Sequence, residues 1–133
     1  MWKVFGALIL IFAVSGGARA GQVEIRHARL QHQPDGTWSL QVTLRHADSG
    51  WQHYADAWRV VTMAAKVLAT RTLFHPHVDE QPFTRGLGGV RIPAGTRRVR
   101  IEAHDTVHGW SPQVLVVDLE RSSGPGYEVI GAP

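Results

Sequence analysis

The sequence predicts an all-β chain, folded as a single seven-stranded antiparallel β-sandwich over residues 21–121. Three observations carry that expectation. Apolar residues recur at every second position in several stretches: Trp38, Leu40, Val42 and Leu44 face one way, and Ser39, Gln41, Thr43 and Arg45 the other. That spacing is the signature of a half-buried strand. No segment shows the 3.6-residue periodicity of an amphipathic helix. Turn signals also punctuate the chain at short intervals, as a sandwich requires.

Residues 1–20 come first and stand apart. Met1-Trp2-Lys3 gives a positive start, and 4–14 is apolar apart from Gly6. Ala18-Arg19-Ala20 places small residues three and one before a cut ahead of Gly21. This is the order of a secretory signal peptide, and its apolar run is too short to span a bilayer. The first strand follows from Val23. Its apolar phase shifts between Val23/Ile25 and Ala28/Leu30, which predicts a bulge. The second is 38–45. Residues 58–60 and 67–74 form a pair joined through Ala64-Ala65-Lys66, a turn without the usual Gly or Asn. A short strand at 87–92 contains Gly88 and Gly89. The sixth sets Val99, Ile101 and Ala103 against Arg98, Arg100 and Glu102, and 114–119 is apolar on both phases, as in a strand covered on both sides. The tail, 122–133, begins Ser122-Ser123-Gly124-Pro125-Gly126 and reads as flexible.

Composition narrows the function. The leader holds Lys3 and Arg19, so the remaining chain carries 12 basic against 11 acidic residues, a net charge of +1. With no broad basic surface in the pattern, nucleic acid is not an expected partner. There are no cysteines. The domain must therefore hold by core burial, and no lipid anchor through a cysteine at the cleavage site is expected. After leader removal no stable membrane anchor remains, which points to a periplasmic or secreted protein.

Two stretches carry a resemblance. Ile92-Pro93-Ala94-Gly95-Thr96, Val99-Arg100-Ile101-Glu102-Ala103 and Gly109-Trp110-Ser111-Pro112, followed by an apolar strand, resemble the second half of a fibronectin type III domain over 92–119. That likeness implies a fibronectin type III or immunoglobulin-like sandwich. Arginine at 97 or 98 stands where that family carries a tyrosine. The stretch His75-Pro76-His77-Val78-Asp79-Glu80-Gln81-Pro82-Phe83-Thr84-Arg85 is similar to small exported bacterial proteins of no established function, a likeness that implies a compartment and no activity.

Strand direction makes the two ends of such a sandwich unequal. One pole receives three short, plain connections. The other receives 47–57, 75–84 and 105–112, with His46 and His104 ending the strands that run toward it, so six of the eight histidines fall there. Loops on a rigid scaffold are the usual seat of recognition. Candidate ligand-binding residues at this pole are Trp51, His53, Tyr54, Phe83, His108 and Trp110, whose rings offer wide contact area. Candidate metal ligands are His75 and His77, two apart in an extended segment, with Asp79, Glu80 and His108 or His53. Against these stand plainer roles: the histidines cap strands, the aromatic rings close the open end of the core, and Arg85 pairs with Asp79 or Glu80 to fix the long loop. Asp56 and Asp105 are expected to brace turns.

Asp105 and Glu80 with His108 offer groups for acid–base chemistry, but no nucleophile sits in an elbow or triad motif, so an enzyme is not expected. The leading expectation is a non-catalytic exported module that recognises a protein, peptide or glycan of the cell envelope through its loops. The alternative is a periplasmic metal-binding protein. No cofactor is required by the sequence, and zinc or copper are the ions its histidines suit. A third possibility, a small accessory subunit of an envelope assembly, would show an exposed sheet edge or apolar patch.

Overall fold

The computed structural model describes residues 21–133; the leader read at 1–20 lies outside the described residues. Among the described residues ten strands follow one another without a helix: β1 (Glu24–His32), β2 (Trp38–Arg45), β3 (Ala55–Thr62), β4 (Val67–Thr72), β5 (Phe83–Val90), β6 (Arg98–Asp105), β7 (Gly109–Trp110), β8 (Leu115–Asp118), β9 (Ser123–Gly124) and β10 (Tyr127–Ile130). They build two sheets, ordered β5-β2-β1-β10-β9 and β4-β3-β6-β7, with β8 pairing β6. The inward faces of both sheets share one apolar core around Trp58, Phe83, Leu30, Leu40, Leu44 and Ile101.

The seven expected strands are all present, and the count of seven is corrected to ten. Two additions matter. The two-residue β7 folds back on the end of β6, pairing His104 with Trp110 and Asp105 with Gly109. The tail expected to be flexible instead forms β9 and β10, and β10 lies parallel to β1 with Ala28 opposite Tyr127 and Leu30 opposite Val129. The all-antiparallel expectation is thereby corrected at this one pairing.

Local irregularities follow the sequence. The phase shift in the first strand is a bulge at Arg26: Ile25 opposes Leu44 while His27 opposes Thr43. It lets Ile25, Ala28 and Leu30 all reach the core. The β3–β4 turn, which lacks glycine, is closed by Ala65 itself in the left-handed region, with φ 66°, and by Lys66 N–H donating to Thr62 Oγ1. The arginine-rich segment before and within β6 is a solvated face: Arg97 reaches Asp118 and Glu120, and Arg100 reaches Glu102.

These strands carry 46–54, 73–82 and 106–108 to the pole where the chain at Gly21 also lies, and hydrogen bonds knit the loops together. His46 N–H donates to Gln81 Oε1, and Gln81 Nε2 donates to the His77 carbonyl. Thr106 N–H donates to the Tyr54 carbonyl. At the opposite pole a cleft of about 910 Å³ is lined by Trp38, Arg91, Pro93, Glu120 and Pro133 among others. Among the described residues, only the loop pole brings three ligating atoms together; His32, Asp35 and Glu120 in this cleft do not converge in that way.

Candidate functional site: a histidine–carboxylate cluster

The β2–β3 loop begins with His46 and Asp48, both buried. Two residues apart in extended chain, their side chains can meet, and His46 Nδ1 lies 2.5 Å from Asp48 Oδ1. Asp48 is otherwise the acceptor that ties three segments. Its Oδ1 takes the Ala55 N–H at 2.9 Å and its Oδ2 the His77 N–H at 2.8 Å. The other ring nitrogen of His46, Nε2, donates to the Gly21 carbonyl at 2.8 Å.

Asp105 closes β6 and is fully buried. Its Oδ1 accepts the N–H groups of Val107 (2.9 Å) and His108 (2.8 Å), the turn-bracing role expected of it. The same oxygen lies 3.1 Å from His53 Nε2 and 3.1 Å from His108 Nδ1. Four donors thus crowd one oxygen with two lone pairs, while Oδ2, equally buried, has no partner among the described residues. A buried carboxylate oxygen left unpaired is costly. The rings of His46 and His53 meet edge to face at 4.7 Å, and those of His53 and His108 lie 5.0 Å apart. One ligating atom each from His46, His53 and Asp105 falls within 4.8 Å of the others.

Charge states follow from these contacts. Burial alone would lower the His46 pKa, but the Asp48 hydrogen bond and the Gly21 carbonyl outweigh it and hold the ring above its usual 6.5. Burial would raise Asp48; its bonds to His46, His77 and Ala55 outweigh that and hold it below 3.8. Asp105 is likewise held low, its burial offset by the His108 and Val107 N–H groups and the His108 ring. His77 moves the other way, lowered by burial, then by the charge of Arg85 and of His75. In metal-free protein, NMR titration is therefore expected to place the His46 midpoint above 6.5 and the His77 midpoint below it. The stabilisation from His46 is complete below about pH 6.5 and is lost as pH rises through its raised value. That from Asp48 is complete above about pH 3.8 and is lost as pH falls through its lowered value. Neutral His77 resists folding only as acid protonates its unfolded form. Midpoints for both rings on one side of 6.5 would refute this arrangement.

The residues expected from sequence separate into groups. His53 and His108 enter the cluster. His75 and His77 do approach, with ring centroids 4.5 Å apart, and His77 keeps a buried Nδ1 that has no hydrogen-bond partner among the described residues. It is stacked on Phe83 at 3.9 Å, and its Nε2 accepts from Arg85 Nη2 at 2.7 Å. His75 is exposed, with Nδ1 near the Pro76 carbonyl. Asp79 and Glu80 are exposed, and Glu80 sits 3.9 Å from Arg85, the loop-fixing pair anticipated. Phe83 is a core residue. Trp51 meets Tyr54 edge to face at 5.7 Å and is 67% exposed. Trp110 instead lies on the outer face of the second sheet, under Arg59 at 3.6 Å and against His104. His104 Nδ1 pairs there with Asp56 at 2.5 Å. The aromatic residues therefore form separate contacts rather than one platform.

Sequence reasoning overlooked Asp48, Gly21 and the joint role of His46 and Asp105. The His46-x-Asp48 spacing at a strand end, and the Asp105-x-x-His108 turn, were the available signals.

The molecule is thus an all-β, two-sheet protein with a buried histidine–carboxylate cluster at one pole. No family model matches the chain, and no solved structure matches it. A protein of Halomicrobium mukohataei named "Putative lipoprotein" is 44% identical over 84 residues, covering 63% of this chain and 41% of its own length. The chain thus spans less than half the length of that relative.

Proposed function

We propose that this is an exported, non-catalytic protein that binds a transition-metal cation, zinc or copper, at the loop pole through His46, His53 and Asp105, with His108 beside them. The observation that carries the reading is the convergence of those three donor atoms within 4.8 Å of one another, one of them on a buried carboxylate whose Oδ2 is unpartnered among the described residues. Two imidazoles and a carboxylate suit zinc or copper. Asp48 supports the reading from behind, since a carboxylate on the remote nitrogen of a ligating imidazole fixes its tautomer and aims the other nitrogen at the metal. On loading, His46 Nε2 gives up its proton and its bond to the Gly21 carbonyl. The leader-like start and the name of the relative support export to the cell envelope or beyond.

The sheet order supports a fibronectin type III-like sandwich within this reading. The fourth strand, β4, pairs with β3 rather than joining the β5-β2-β1 sheet, unlike the constant-type immunoglobulin arrangement.

Metal titration of the purified chain tests the proposal. One ion per chain is expected, with affinity falling about 10-fold or more in His53→Ala and unchanged in His75→Ala. Absence of bound zinc or copper above background, or equal affinity in His53→Ala, would overturn it. A second reading rests on the Trp51–Tyr54 pair, whose exposure beside His53 suits recognition of a protein, peptide or glycan. Trp51→Ala would then abolish partner capture while leaving metal affinity intact.

A further inference from the structure

The cluster contains one member that is not a side chain. Gly21 lies among all three rings: its carbonyl accepts from His46 Nε2 at 2.8 Å. A Cβ on Gly21 would stand 2.9 Å from His108 Cε1, 3.4 Å from His108 Nε2 and 3.7 Å from His53 Cε1. Its φ of +83° is also one that a side chain resists. A side chain here would strain the backbone and press on the His108 ring, so glycine lets the backbone lie against the cluster. Gly21 is also the residue at which the sequence marks the leader to be cut. Before cleavage its nitrogen is an amide, a poor metal ligand. After cleavage it is a primary amine, a nitrogen donor two bonds from a carbonyl carbon whose oxygen is already inside the cluster. An amine and its own carbonyl close a five-membered ring on a cation, and a mixed set of nitrogen and oxygen donors is the one copper(II) favours.

We infer that the α-amino group of Gly21, freed by removal of the leader, is a ligand of the metal held by His46, His53 and Asp105. The inference rests on the metal-binding reading above and deepens it. The site is complete only in the exported, processed chain, so the precursor binds metal weakly and the mature protein binds it tightly. On ligation the ammonium releases one proton to solvent, and the nitrogen lone pair binds the cation.

The test compares three forms with copper(II) and zinc(II) as probes, each measured by competition with a chromophoric chelator. The first is the chain beginning at a free Gly21. The second is blocked, either by acetylation of that amine or by a Met-Ala extension before it, with folding checked by circular dichroism. Two blocked versions are used so that a folding defect in one leaves the other to decide. The third is the free-amine form carrying His53→Ala. The free-amine form is expected to bind copper about 10–100-fold more tightly than the blocked forms. Its copper(II) spin-resonance spectrum is also expected to show one more coupled nitrogen than theirs. Equal affinity and equal spectra for free and blocked forms, with binding lost in His53→Ala, would overturn the amine while leaving the side-chain site in place. Failure of all three to bind would overturn both.

Discussion

Asp48→Ala is expected to lower the free energy of unfolding by about 3–5 kcal/mol, the cost of removing one partner of a buried ion pair. Both side chains of the His46–Asp48 pair are fully excluded from solvent. Deleting the carboxylate strands a protonated ring, the Ala55 N–H and the His77 N–H at once. These groups belong to three different segments, so the loss also unties the loop at 73–82 from the strand ends beneath it. For a domain of this size the melting temperature should fall by more than about 10 °C. Asp48→Asn retains an acceptor oxygen and should lose less, while His75→Ala, at an exposed ring, should change little. A melting temperature within about 3 °C of wild type for Asp48→Ala would refute the central position given to this carboxylate. The result also bears on function. If Asp48 aims His46 at a metal, the metal affinity of Asp48→Asn should fall more than its modest stability loss predicts.

The parts of this molecule legible in the sequence are those governed by local periodicity. The alternation Trp38-Leu40-Val42-Leu44 depends only on which face of a strand meets the core, and β2 follows it along its length. The phase shift near Arg26 is legible for the same reason, since an extra residue must flip the pattern. The loop pole is legible because strand direction sends alternate connections to the same end. Which histidines meet there is not, because that depends on how three loops fold over one another. His75-x-His77 reads as a ligand pair by spacing, yet Phe83 beneath and Arg85 alongside draw His77 into the wall. His46 and Asp105 look like unremarkable strand ends, and only the closure of the sandwich sets them together with His53. Gly21 carries no sequence signal beyond its place after Ala20.

The clearest misreading concerns the tail, and it yields the second large effect: a chain ending at Arg121 is expected to lose about 3–6 kcal/mol of stability. Ser122-Ser123-Gly124-Pro125-Gly126 has the composition of a linker, but each glycine has a specific structural use. Gly126 turns the chain at φ +76°, and the absence of a side chain at Gly124 leaves room for the Tyr127 ring, which a Cβ would meet at 2.5 Å. The turn delivers Tyr127 and Val129, both buried, into the core beside β1. Burying two such side chains contributes about 1.5–3 kcal/mol each, which sets the expected loss. Removing them also bares the edge of β1, a strand with a row of unpaired backbone groups, so the truncated chain should associate at concentrations where the full chain does not. Amide exchange at 127–130 in the intact protein should be slow, as in β1, rather than fast as in a linker. Unchanged stability on truncation, or unprotected amides at these positions, would restore the flexible tail and return β1 to the edge of its sheet.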